Sequence, residues 1–199
     1  MVSARRSTTV QTNSMTPDIE TRSFPYRQPD FDAWVSAHAR WWPERSEPTV
    51  WGPFAAQAAC GRYTFSRVKQ PHRHFSETLV GAALEREGYV CWTEAKVLRK
   101  PGRVFGGFRG LNTRLIDALL ASSVGVVPQD VYQTEYESGL RLKTVDVIGF
   151  NCRRNHWVFA EAKKDHDRLH PEQEEGLRFL RRLLAPVDAD VFVALVRRE

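Results

Sequence analysis

Cysteine is scarce in this 199-residue chain: Cys60, Cys91 and Cys152 are odd in number, widely spaced and without a CxxC pair. That pattern argues against a disulfide framework and a zinc ribbon, and fits reduced, buried thiols in a cytoplasmic protein. No stretch reaches the roughly 18 consecutive apolar residues of a membrane span. Nor does a hydrophobic run follow Met1-Val2-Ser3-Ala4-Arg5-Arg6 as a secretion signal requires. A soluble, cytoplasmic chain with no membrane partner is expected. Acid is in the minority, with 24 Asp and Glu against 29 Lys and Arg, a net charge of +5 and a pI near 9.3. Such a balance suits a polyanionic partner, nucleic acid above all. Residues 1–23 also have few large apolar groups and no periodicity, so burial would not offset the entropy of ordering them. They are expected to form a disordered tail.

What is present begins with aromatics. From 24 to 73 Phe31, Trp34, Trp41, Trp42, Trp51 and Phe54 are interleaved with prolines 25, 29, 43, 48 and 53, which predicts an accessory layer of short helices and irregular connections. Asp30-Phe31-Asp32-Ala33-Trp34 has the acids of a helix start, and Pro43 is expected to stop that helix. The segment 74–199 then reads as one catalytic-size core. His74 to Gly88 is an amphipathic helix with Phe75, Leu79, Ala82 and Ala83 on one face and a glycine stop. Tyr89 to Thr93 is a β-prone apolar run. A basic, Gly-rich insertion at about 98–141 carries Arg99, Lys100, Arg103, Arg109 and Arg114 with no acid among them, plus a helix around Thr113 to Ala121. Clustered cations on flexible glycine allow close approach to a phosphate backbone, so these five are the expected nucleic-acid contacts. Lys143 to Phe150 and His156 to Ala162 form a predicted hairpin across the turn-prone Asn151 to Asn155. Pro171 to Leu184 is a helix whose apolar side is Leu177, Leu180, Leu183 and Leu184, and Val191 to Val196 is a final, doubly buried strand.

Two acids in this frame demand explanation. Asp146 lies in Val145-Asp146-Val147-Ile148, and Glu161-Ala162-Lys163 closes Trp157-Val158-Phe159-Ala160. A lone carboxylate at a buried strand edge costs several kcal/mol unless it is paired or bound to metal. Mg²⁺ takes oxygen ligands and usually one or two protein carboxylates, leaving positions for water and phosphate. Phosphodiester hydrolysis needs that cation, a positioned water and a group that steers the water proton. Lys163 is two positions from Glu161, so both project to one side of a strand. Glu94-Ala95-Lys96 is a second copy of the tripeptide without an acid on an apolar strand before it, and is read as decorative. The pairs His72/His74 and His166/His170 have no third ligand for a transition metal, and Arg178, Arg181 and Arg182 are expected to pair along their helix.

The combination resembles the PD-(D/E)XK nuclease superfamily over about His74 to Arg197, with Val145 where the family has its proline. The resemblance implies a restriction-endonuclease-like α/β core: a mixed four-stranded sheet flanked by helices, here with an N-terminal aromatic-rich helical extension. It implies that Asp146, Glu161 and the Ala162 carbonyl hold Mg²⁺, with Mn²⁺ as a substitute, that Lys163 assists water and that Glu77 supplements the metal site. Gln173 is the nearest match to an auxiliary polar residue. The expected activity is a metal-dependent DNA endonuclease, acting alone, as a homodimer or within a larger nucleoprotein complex. The alternatives are a catalytically silent nucleic-acid-binding or assembly subunit of the same fold, and an RNA-directed nuclease.

Overall fold

The computed structural model describes residues 19–44, 53–60, 62–63, 74–93, 107–125 and 145–199. Five strands, β1 (Glu20–Tyr26), β2 (Val90–Thr93), β3 (Val147–Asn151), β4 (His156–Lys164) and β5 (Ala189–Arg198), form one mixed sheet in the order β1-β5-β4-β3-β2. β2, β3 and β4 are an antiparallel meander, while β4, β5 and β1 run parallel. The described helices are α1 (Gln28–Glu44), α2 (Ala55–Ala59), α3 (Phe75–Arg86), α4 (Gly107–Val124) and α5 (Pro171–Leu183). None of them is long and apolar enough to cross a membrane.

The doubly apolar runs force a sheet covered on both sides, because successive strand residues point to opposite faces. Val147, Val158, Ala160, Phe192 and Ala194 face a layer built on α1 and α3, with Trp34, Phe75, Val80 and Leu84 buried against them. Ile148, Trp157, Phe159, Val191 and Val193 face α4 and α5 through Ile116, Leu120, Leu177, Leu180 and Leu184. In α5, Pro171 occupies the first turn and the His170 N–H donates to Gln173 Oε1 at 3.0 Å. The expected pairing along this helix is present, with Arg178 2.6 Å from Glu174.

Four expectations change. The sheet has five strands rather than four, and the extra strand begins at Glu20, inside the segment expected to be a tail. β1 is ordered by its parallel pairing with β5 and by Phe24, which stacks on Phe192 with centroids 6.2 Å apart. Residues 1–18 lie outside the described part. Of the aromatic segment, Phe31, Trp34 and Phe54 belong to the main core rather than to an accessory layer, and Trp34 and Phe54 meet Phe75 edge-on at 6.0 and 5.8 Å; Trp51 and the side chains of Trp41 and Trp42 lie outside the described part. α4, expected as part of an insertion, is a core helix through Ile116 and Leu120. On α3 the buried residues are Phe75, Ser76, Thr78, Val80, Gly81 and Leu84, with Leu79, Ala82 and Ala83 only partly covered. A helix wedged between sheet and aromatic layer is covered on more than one face, so a single apolar stripe does not identify its buried side.

Candidate active site

The hairpin sets the site. Val147 pairs with Ala160 in the antiparallel ladder, so the next step brings Asp146 opposite Glu161 at the mouth of β3 and β4. The Ala162 N–H donates to Asp146 Oδ2 at 2.9 Å and locks that carboxylate to the neighbouring strand. Glu161 is buried, 4% exposed, and its Oε1 accepts from Lys163 Nζ at 2.9 Å and from the Gln173 side-chain amide. Lys163 and Glu161 therefore share one side of β4, as their spacing predicts, and α5 supplies a further donor through Gln173.

Glu77, in the first turn of α3, adds its charge from the opposite layer. Burial and the charges of Glu161 and Glu77 hold the Asp146 carboxyl well above the usual carboxylate range, against the opposing pull of the Ala162 N–H and of Lys163. Asp146 and Glu161 thus meet within the electrostatic reach of Glu77, and one lysine offsets only part of the three charges. Among the described residues Asp146 Oδ1 and Glu161 Oε2 accept no hydrogen bond, which leaves two oxygens for an outside partner. Among those same residues no group of three His, Cys, Asp or Glu side chains is drawn together as a ready-made metal cage. Two free carboxylate oxygens and surplus negative charge fit a hard cation that keeps much of its water, as Mg²⁺ does.

Sequence reasoning alone misses His74 as part of this cluster. It is buried, takes a left-handed backbone conformation at φ 63°, and sets Nδ1 3.4 Å from Glu77 Oε1. The i,i+3 spacing of His74 and Glu77 is the signal in the chain that points to it; His72, with which His74 would pair on a transition metal, lies outside the described residues. His166 and His170 do not share a helix: the first is in the turn after β4 and the second caps α5. Of the basic set, Arg99, Lys100 and Arg103 lie outside the described residues, as do Glu94 and Lys96. Arg109 falls in the first turn of α4, and Arg114 is exposed further along it.

No family model, curated protein or solved structure matches this chain. The fold defines an α/β protein with a mixed five-stranded sheet between helical layers, and any function rests on the site itself.

Proposed function

We propose that the chain is a Mg²⁺-dependent DNA endonuclease of the PD-(D/E)XK type. The observation that carries this reading is the convergence of Asp146, Glu161 and Lys163 at one strand mouth, with Glu77 raising the proton affinity of Asp146 from the facing helix. Asp146, Glu161 and the Ala162 carbonyl are the ligand set for Mg²⁺ or Mn²⁺, and Glu77 supplements it. The bound cation supplies Lewis-acid stabilisation of the charge that develops on the scissile phosphate. Lys163 holds a proton on Nζ beside that position and steers the attacking water or contacts a phosphate oxygen. Gln173 positions Glu161 by donating to the same oxygen as Lys163. Net charge of +5 supports a polyanionic substrate.

Cleavage of linear, supercoiled and branched DNA in Mg²⁺ and Mn²⁺, with single-stranded RNA alongside, tests the proposal. Asp146→Ala and Lys163→Ala are each expected to lower the rate by at least about 10²-fold, since they remove groups that act on the transition state. Intact DNA in both metals, or variants that cut as well as the parent, would overturn it. DNA binding without metal or cleavage would point instead to a silent subunit, and preferential RNA cleavage to the RNA-directed alternative.

A further inference from the structure

Because β1, β4 and β5 run parallel, their carboxyl ends open at the same end of the sheet as the Asp146 cluster. An open groove of about 650 Å³ lies there, lined by Tyr26, Gln28, Asp165, His166, Arg197 and Arg198. Crevices outside the carboxyl ends of parallel strands are where α/β sheets bind ligands. Asp165 is the one carboxylate in this lining, and its charge is already engaged: Lys164 Nζ is 3.3 Å away, and the Tyr26 hydroxyl donates to it at 3.1 Å. Burial opposes ionisation of Asp165, yet those two hydrogen bonds and the Arg198 N–H hold its carboxyl below the usual range. Lys164 is engaged as well, with its ammonium 3.9 Å from the Phe31 ring centroid. Arg197 and Arg198 differ. Both are exposed, and among the described residues neither guanidinium is within ion-pair distance of a carboxylate. Two uncompensated forked donors at one groove match phosphate oxygens in charge and geometry.

The groove is also close to the chemistry. Asp165 takes a left-handed conformation at φ 49°, and its N–H donates to the Val196 carbonyl at 2.8 Å, which extends the β4–β5 ladder one step and sets Arg197 beside it. Lys163 is two residues back along β4. Strand rise and spacing put the Lys163 and Arg197 backbones about 8 Å apart. At roughly 3.4 Å of axial rise per nucleotide, that is about two steps measured along the duplex axis. We infer that this groove grips the phosphodiester backbone of the nucleic-acid strand entering the Asp146–Glu161 site, an assignment that rests on the nuclease reading of that site.

Binding of a fluorescein-labelled DNA duplex, followed by anisotropy in chelator from 50 to 200 mM salt on an Asp146→Ala background, separates the two ideas. Each phosphate contact contributes about 0.9 to the slope of log K on log salt, so Arg197→Gln with Arg198→Gln is expected to reduce that slope by about 1 to 2. Arg153→Gln with Arg154→Gln removes two exposed arginines from the β3–β4 turn, at the far end of the sheet, and is expected to leave the slope unchanged. Thermal unfolding checks that both double variants stay folded. An unchanged slope in the Arg197/Arg198 variant, an equal loss in both double variants, or no DNA binding at all overturns the groove. If the slope falls as expected while the unmutated chain cleaves nothing in Mg²⁺, the nuclease reading fails and the phosphate contact stands. If the unmutated chain cleaves while the slope stays unchanged, the groove fails and the nuclease reading stands.

Discussion

Asp146 carries a conflict between stability and chemistry. Its carboxyl is held above the usual range chiefly by burial and then by Glu161 and Glu77, so in the metal-free protein its ionised form opposes folding. A folded-state proton affinity above the unfolded one gives stability that is complete below the unfolded value, about 3.9. It is lost as pH rises through the raised folded value. In chelator, Asp146→Asn removes the charge but keeps a carbonyl oxygen for the Ala162 N–H, and should stabilise the protein by about 1–3 kcal/mol at pH 8. The gain should fade towards pH 4. Thermal unfolding of parent and variant across this range measures it; a variant no more stable than the parent at pH 8 would remove the electrostatic argument. Added Mg²⁺ should raise the melting temperature of the parent and leave Asp146→Asn little changed, because the cation binds the folded site alone.

At the scale of elements, the β3–β4 hairpin must hold Asp146 and Glu161 in register. Asn151 Oδ1 accepts from the Arg153 and Arg154 N–H groups at 3.1 and 3.2 Å, and Asn155 takes the left-handed conformation that a tight turn needs. Those turn residues are legible in the chain. The demand on Gly149 is not, since it comes from across the sheet: a Cβ there would lie 2.6 Å from Val158 Cγ2 and 3.2 Å from Cys91 Sγ. Gly149→Val is expected to destabilise by about 1–3 kcal/mol or more through overpacking between β2 and β4, read as a lower melting temperature. An unshifted transition would show that the two neighbouring strands part freely at this point.

For the whole molecule the decisive feature is β1. It closes the sheet against β5 across some 170 positions of chain, brings Tyr26 to Phe75 at 5.3 Å, and ties Arg22 to Asp190 at 2.6 Å. Losing a buried aromatic costs about 3–5 kcal/mol, against a total stability of about 5–15 kcal/mol for a domain of ordinary size. A chain truncated through Tyr26 loses Phe24 and Tyr26 together and also bares the edge of β5. It is expected to aggregate or to unfold without a cooperative transition, whereas removal of a true tail would leave the melting temperature unchanged.

What the chain determined by itself was local. The apolar runs of β4 and β5 had to be covered on both faces, the caps and stops of α5 were written in Pro171 and Pro186, and the one-residue spacer put Glu161 and Lys163 on one side of a strand. What only the tertiary structure decided was which distant segments meet. Glu20–Tyr26 is too polar and too short to declare itself a strand, because its order comes from the ladder of β5 and from Phe192. Glu77 and Gln173 could be named from a resemblance, but their convergence on Asp146 and Glu161 depends on α3 and α5 packing on opposite faces of one sheet. Arg197 and Arg198 read as the end of a strand until parallel pairing set them at the same end of the sheet as the Asp146 cluster. Periodicity along a chain encodes which face is buried; what that face is buried against is a matter of contacts between residues far apart in sequence.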